Sequence, residues 1–453
     1  MSVDELSPWT KPIDTWNEIE VRLIDYLNIY LRNLQRDEVS FALYRLPLQN
    51  EPFLVIQRSQ VQTYSSLISL DVSPQNGFLF APFAITDDHP ALLIAPEEVY
   101  SDTYSIARTA FKGVRADRPW IDQLDAVPLQ HIQDHKDLPV FLSSDFADKQ
   151  SALKRYRYCF SNFHYRVKNG DFRKLVLSRL YNVRAYEVHP VQIFARACEA
   201  YPNMLVSMVY TPISGLWLGA TPELLVRGEP GRYNTMSMAG TMSILDLPAS
   251  IVKGDVVQDL STFYWSDKNK EEQQIVTDYI TATLARLNAK FTCSAPFTSQ
   301  AGELVHLKTD FLFSLPVGTS LGVLCDALHP NPAVCGLPRR EAREFITTTE
   351  YDDRSYYSGL LGPWQPTRTS HIYANLRCMQ LLPSHESLVG SSLYSKAMQV
   401  SLYAGGGIMP ESDAMDEFEE TCNKMECMSR FLFKSPEPEE STPHSSFAAF
   451  AGQ

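Results

Sequence analysis

Met398-Gln-Val-Ser-Leu-Tyr403, Ala404-Gly-Gly-Gly-Ile408 and Ser412-Asp-Ala-Met-Asp-Glu-Phe-Glu-Glu-Thr-Cys-Asn-Lys424 form the stretch that decides the architecture. Its first part is an apolar, strand-like run, its middle is three consecutive glycines, and its last part is an acidic, helix-like segment. A strand leading through glycine into a helix calls for a mixed α and β fold. Glycine lets backbone approach a bound group closely, because no Cβ intervenes. Ser412 and Asp413 are helix N-cap candidates. On the helix that they open, Glu417 and Glu420 stand three apart and share a face. Carboxylates gathered beside bare backbone N–H groups point to a divalent cation holding an anionic ligand. The plain alternative is a glycine turn followed by a solvated acidic helix.

Working outward, strand and helix patterns alternate over the rest of the chain. The apolar stripe Ile19, Leu23, Tyr26, Leu27, Tyr30 predicts an amphipathic helix over Trp16 to Leu34. Phe41–Tyr44, Phe53–Ile56, Gly77–Phe80 and Ala91–Ile94 are short strand candidates set off by Pro, Asn, Asp and Ser. Further strands are expected near 174–187, 204–218, 232–240, 355–363 and 370–381, and helices over 147–169 and near 190–200 and 268–290. The expected fold class is therefore mixed, α+β or α/β, and excludes a helical bundle or a β-sandwich. Residues 1–140 are read as an N-terminal part without a chemical constellation, and 141–434 as the catalytic region. The Pro119 to Lys149 segment is a polar connection, and 435–453, rich in Pro, Ser and Glu, is a tail expected to be disordered.

With 453 residues and 44% apolar content the chain can bury a large core. Its net charge of −13, with no long basic run, argues against nucleic acid as a partner. The eight cysteines show no CxxC or zinc-like spacing and read as reduced, mostly buried thiols of a cytosolic protein. No secretory signal opens the sequence and no run approaches 18 apolar residues, so no membrane partner is expected and the expected location is cytoplasmic.

Nine segments in order resemble the chorismate-utilising enzymes, the family of isochorismate synthase, salicylate synthase and anthranilate synthase component I. They are Lys174-Leu-Val-Leu-Ser-Arg179, Gly219-Ala-Thr-Pro-Glu-Leu-Leu225, Met238-Ala-Gly-Thr241, Lys268 to Glu272, and Val305-His-Leu307. Leu328-His-Pro-Asn-Pro-Ala-Val-Cys-Gly-Leu-Pro338, Arg354-Ser-Tyr-Tyr-Ser-Gly359, Leu376-Arg377 and the glycine-acidic stretch complete the set. Within the family the pattern is most similar to isochorismate synthase. The resemblance implies one large mixed domain with layered antiparallel sheets and surrounding helices, chorismate as a small-molecule substrate, and Mg2+ as cofactor.

The implied reaction removes the C4 hydroxyl of chorismate while water attacks C2. Hydroxide leaves poorly and water attacks poorly at neutral pH, so an acid, a base and a clamp for two carboxylates are needed. The resemblance places Lys174 as the base and Glu223 as the acid, with His306 beside the reacting ring. A free lysine is almost wholly protonated at neutral pH, and burial favours the uncharged form that a base requires. Glu272 and Glu420 match the direct Mg2+ ligands, and Glu417 the carboxylate that acts through water. Arg377, Tyr357, Lys424, Gly405 and Gly407 match the carboxylate grip, and Gly240, Thr241 and Ala333 the remaining substrate contacts. Read alone, each residue has a plainer account. Lys174 is then a surface lysine, Glu223 a helix-start acid, Glu272 part of a solvated charged run, and His306 a structural histidine.

Lys174 stands where aminating relatives usually carry Gln, so no glutaminase subunit is expected. Ala333 stands where salicylate-forming and aminating relatives tend to carry Thr, which argues against pyruvate loss. Salicylate synthase remains the nearest rival reading, and a binding protein that lost turnover the rival of another class. Departures from the usual pattern are Gln273 for His, Asn269 for a carboxylate, Asp353 for Glu, Ala414-Met415 for Pro-Glu, and Asn331 for Thr.

Overall fold

The computed structural model describes residues 8–72, 75–110, 149–185, 188–247, 252–253, 256–257, 264–383 and 398–432. The first described segments contain α1 (Glu18–Arg36), β1 (Ser40–Arg45), β2 (Phe53–Gln57), β3 (Gln62–Tyr64), β4 (Gly77–Ala81), β5 (Ala91–Ile94), β6 (Glu98–Tyr100) and α2 (Thr103–Ala110). Next come α3 (Lys149–Lys168), β7 (Lys174–Ala185), α4 (Pro190–Ala200), β8 (Leu205–Thr211), β9 (Gly215–Thr221), β10 (Leu224–Glu229) and β11 (Arg232–Ser243). A small hairpin, β12 (Val252–Lys253) and β13 (Val256–Val257), precedes α5 (Asp267–Arg286), β14 (Lys290–Cys293), β15 (Phe297–Ala301) and β16 (Leu304–Ser314). The last elements are α6 (Leu321–Leu328), β17 (Gly336–Leu337), α7 (Arg339–Thr349), β18 (Leu360–Trp364), β19 (Ser370–Ala374), β20 (Cys378–Pro383), β21 (Met398–Ile408) and α8 (Ala414–Ser429). The architecture is α+β, as expected.

Two large antiparallel sheets carry the fold. One runs β17-β7-β21-β20-β9-β8-β1-β2-β6, the other β14-β16-β11-β10-β19-β18-β4-β5-β3, with β15 paired to β16. Strand alternation explains why the four N-terminal strands read as unbroken apolar runs. In β1, Ala42 and Tyr44 point into the cluster between the sheets, whereas Phe41 and Leu43 point into the outer cluster that holds α1 and α4. In β4 and β5, Phe78, Phe80, Leu92 and Ile94 face the other sheet, and Leu79, Ala81, Ala91 and Leu93 face the cluster under α5 and α6. Both faces of these strands are buried, so neither tolerates polar residues. The layers are thus helix, sheet, sheet, helix. The N-terminal strands form no layer of their own, since β1, β2 and β6 extend one sheet and β3, β4 and β5 the other.

Several boundaries differ from the expectation. The run 204–218 is a hairpin, broken at Ser214-Gly215 between β8 and β9. Helix α5 stops at Arg286, and Lys290 already begins a strand. The three glycines do not make a turn. They lie inside β21, which pairs with β7 over eleven residues from Met398↔Ala185 to Ile408↔Leu175. Asp413 is the N-cap of α8, its side chain accepting from the Met415 and Asp416 N–H groups, while Ser412 serves another partner. The connection over 119–148 and the tail over 435–453 fall outside the described residues.

Candidate functional site

A pocket lies between β7 and β21 of one sheet and β11 and β16 of the other. Glu223, Gly240, Thr241, Glu272, His306, Ala333, Tyr357, Arg377, Gly405, Gly407 and Lys424 line it. Lys174, Glu417 and Glu420 stand directly behind this lining, each reached through one of those residues or its neighbour.

Two glycines shape the walls. Gly240 has φ of +69° and is the extra residue of a bulge, since Ala239 pairs with Leu307 and Thr241 with His306. A left-handed glycine at a bulge re-aims the strand, and here its carbonyl meets His306 Nδ1 at 3.2 Å. Gly407 is needed for space, because a Cβ there would collide with the Glu272 carboxylate and press on Lys174 Cε. Strand β20 pairs with β21 no further than Leu402, so the outer edge of β21 is open from Tyr403 onward. The Gly405 and Gly407 carbonyls point off that edge, the first accepting from Lys424 Nζ and the second lying 3.5 Å from Ser412 Oγ. In an extended strand a residue's N–H lies on the same edge as its C=O, so both N–H groups face off it as well.

One side of the pocket is built from paired charges. Lys174 is wholly buried, not a surface lysine, and its Nζ lies 2.8 Å from Glu272 Oε1 in an ion pair without a well-directed hydrogen bond. Glu272 itself is only 14% exposed, so the solvated-run reading does not hold for it. Burial pushes the Glu272 carboxyl up, but Lys174, Lys424 and Lys268 together outweigh burial and hold it below the usual carboxylate range. Glu417 Oε1 accepts from Lys268 Nζ at 2.5 Å and from Ser412 Oγ at 2.6 Å. Burial and the neighbouring Glu420 nevertheless push Glu417 up to about 7. Lys424 Nζ bridges Glu420 Oε1 and the Gly405 carbonyl, at 2.6 and 2.9 Å. Lys268 and Ser412 were not among the candidates, because what they do depends on contacts that sequence spacing does not reveal.

The other side is neutral or shielded. Glu223 sits in the bend between β9 and β10, not at a helix start, with its carbonyl accepting from the Ala374 N–H. Its carboxyl is buried, and burial pushes it up to about 7 against the opposing pull of Asn331, Lys174, Lys424 and Arg377. About half of such a group keeps its proton at neutral pH. Arg377 has φ of +49°, an uncommon backbone for a non-glycine residue. Its Nη2 lies 2.9 Å from His306 Nε2. A guanidinium only donates, so Nε2 accepts and Nδ1 carries the hydrogen toward the Gly240 carbonyl. Burial first, then Arg377 and Lys424, drive the His306 pKa well below its usual value and keep the ring neutral. The structure therefore gives His306 a contact that orients Arg377.

A buried clasp supports both sides. Arg354 makes a bidentate pair with Glu350 at 2.6–2.7 Å and donates to the Val334 and Val176 carbonyls at 2.7 Å each. Glu350 also accepts from the Ser178 N–H at 2.6 Å. The clasp ties β7, next to Lys174, to the loop that carries Asn331 and Ala333.

Among the described residues, no three His, Cys, Asp or Glu side chains form a ready metal cage. Mg2+ needs none, because it takes one or two carboxylates and keeps several waters and a substrate oxygen. Glu417 and Glu420 lie against Gly406, where a Cβ would be 3.1 Å from Glu417 Oε2 and 3.8 Å from Glu420 Oε1, and Glu272 lies against the neighbouring Gly407. The mutual repulsion of Glu417 and Glu420 is what a hard cation would relieve.

Residues 120–433 match the family model described as chorismate binding enzyme, and the chain belongs to that family. It is 32% identical over 265 residues to MenF of Mycobacterium tuberculosis, a protein provisionally named an isochorismate synthase. It is 27% identical over 258 residues to the Escherichia coli isochorismate synthase EntC. Each match spans 56% of this chain, and 66% and 61% of the respective relatives. The solved Escherichia coli MenF, described as a menaquinone-specific isochorismate synthase, aligns with a TM-score of 0.63 at 20% identity, over 87% of this chain and 88% of its own. That is likeness of fold. No described helix is long and apolar enough to cross a membrane.

Proposed function

We propose that this member of the chorismate-binding enzymes is an isochorismate synthase, an isomerase that interconverts chorismate and isochorismate. One observation carries the reading most directly. A buried carboxyl pushed up to about 7 lines the pocket, and a fully buried lysine paired with the lining residue Glu272 stands directly behind it. Mere binding of a dianion needs neither group, whereas exchanging a hydroxyl between two carbons needs a base and an acid.

In this reading Lys174, in its uncharged form, takes a proton from the water that adds to C2. The ring double bonds shift, the C4–O bond breaks, and Glu223 supplies the proton with which the hydroxyl leaves as water. One water enters and one leaves, so the reaction is an isomerisation and runs in both directions. Gly240 and Thr241 would contact the substrate near its C4 hydroxyl. Arg377, Tyr357, Lys424 and the Gly405 and Gly407 N–H groups grip carboxylate, with a guanidinium suited to two parallel hydrogen bonds. Glu272 and Glu420 would hold Mg2+, with Glu417 acting through a water, and the ion would neutralise and fix a substrate carboxylate.

Ala333 presents a methyl where a hydroxyl would offer a polar contact, which supports release of isochorismate without loss of pyruvate. We assign the product to menaquinone biosynthesis, siderophore and salicylate formation being the other destinations of isochorismate. The test is incubation of the purified protein with chorismate and Mg2+, followed by chromatography. Isochorismate approached from either direction is expected. Stoichiometric pyruvate and salicylate would instead make the protein a salicylate synthase, and unchanged chorismate would leave it a binding protein.

A further inference from the structure

The Glu223 carboxyl has one hydrogen-bond partner among the described residues, and that partner is Asn331. Nδ2 of Asn331 lies 3.4 Å from Glu223 Oε1, across 108 residues of sequence. The amide can face only one way. Asn331 Oδ1 accepts from the Ala333 N–H at 2.8 Å, and because a backbone N–H only donates, the other end of the amide, Nδ2, must be what meets Glu223. Nor is the Asn331 main chain free to swing. Its carbonyl accepts from the Val334 and Cys335 N–H groups at 3.1 and 3.0 Å, and Arg354 holds the Val334 carbonyl. Asn331 is itself 5% exposed. It is thus a rigid, buried, donor-only contact on one oxygen of the carboxyl.

We infer that Asn331 is the positioning residue of Glu223, holding Oε1 as an acceptor so that the acidic proton is carried on Oε2. The inference rests on the acid role proposed above for Glu223. An oxygen that receives an N–H bond cannot at the same time direct its own proton along that line, so the proton takes the second oxygen. Oε2 has no protein partner among the described residues and belongs to a side chain that lines the pocket. Asn331 therefore both selects the oxygen and keeps the carboxyl from rotating. The same contact stabilises the ionised form, which opposes the effect of burial and keeps the acid from becoming too weak to give up its proton. The other groups around Glu223 are three cations, Lys174 from β7, Arg377 from the turn before β20 and Lys424 from α8. Glu272 from α5 adds an anion, while His306 from β16 and Tyr357 are neutral. None of these is a hydrogen-bond partner of Glu223.

Two substitutions test the inference in the full chain. Asn331→Leu removes the donor and the acceptor. Asn331→Asp retains the acceptor for the Ala333 N–H, hence the loop, and removes only the donor. Glu223 is followed directly by 13C NMR of protein labelled at the glutamate carboxyl carbon, its signal identified by its loss in Glu223→Gln. The expected result for Asn331→Leu is an upward move of the Glu223 midpoint by roughly 0.5–1 pH unit. For Asn331→Asp the move is at least as large, because a second carboxylate then faces the first. The alkaline limb of the kcat profile moves up in step, kcat falls roughly ten- to a hundredfold, and KM changes little. If the leucine variant does not fold, the aspartate variant carries the same readout. A Glu223 midpoint and an alkaline limb unmoved in the folded variants would overturn the inference while wild-type turnover left the proposed reaction intact. Conversely, a moved midpoint in a protein that never converts chorismate would support Asn331 as the partner that positions the carboxyl and remove the reaction.

Discussion

The two sides of the pocket bury polar groups in opposite ways. Along the glycine strand, three lysines meet three carboxylates, as Lys174 with Glu272, Lys268 with Glu417, and Lys424 with Glu420. Around Glu223, the contacts are an amide on a carboxyl and a neutral imidazole on a guanidinium. The first side holds its charges in pairs, for which an arriving anion or cation would compete. The second holds a proton in place. Breaking a buried pair leaves the other charge uncompensated, whereas removing a neutral contact mainly shifts a proton equilibrium.

That contrast orders the expected effects. The largest is on the charged side, where chelation and dialysis should remove turnover altogether and added Mg2+ restore it. Full activity in excess chelator would take the metal out of the account. Next, Lys174→Ala and Glu223→Gln should each lower kcat by roughly 10²–10⁴ with much smaller changes in KM. A near wild-type kcat in steady-state assays of either would cancel that residue's role. Third, Gly407→Ala should lower kcat and melting temperature together, because the new methyl meets the Glu272 carboxylate. An alanine variant with wild-type kinetics would show that the close approach is dispensable.

The smallest effect is thermodynamic and separates the sides by pH. Glu223 titrates at about 7 in the folded chain, against roughly 4.3 for a free glutamate. Between these values the unfolded chain has lost its proton and the folded chain has kept it, so the Glu223 contribution to stability falls as pH rises through this window and is constant above it. Glu223→Gln cannot ionise. Its melting temperature relative to wild type should therefore climb from pH 4.5 to 7 and then level off, as calorimetry can follow. A gap that does not change with pH would mean that Glu223 is not a buried, proton-holding carboxyl.

Much of this arrangement was legible in the residues, and the rest was not for a physical reason. Apolar runs such as Phe41–Tyr44 and Ala91–Ile94 announce strands buried on both faces, and Asp413 announces a cap. Which sheet each strand joins depends on pairing across long stretches of chain, as when β1 pairs with β8, and local pattern is silent on that. The three glycines read locally as a turn, yet pairing with β7 keeps them extended. The candidate site residues could be named because their motifs are distinctive, and most of them line one pocket. Their partners were not, since Lys268 reaches Glu417 across 149 residues and Asn331 reaches Glu223 across 108. Asn331 was visible only as a departure from Thr, a signal with no direction until the carboxyl beside it was in view.

The central claim is that a lysine and a protonated carboxyl exchange a hydroxyl for water across one pocket. Turnover of chorismate in 18O-enriched water, with mass spectrometry of the product under initial-rate conditions, tests it most directly. The account predicts one 18O atom in each isochorismate formed, carried on the C2 hydroxyl. Product bearing only the original oxygen would mean that the hydroxyl migrates within the substrate, and would contradict the assignment of Lys174 as the base that activates water.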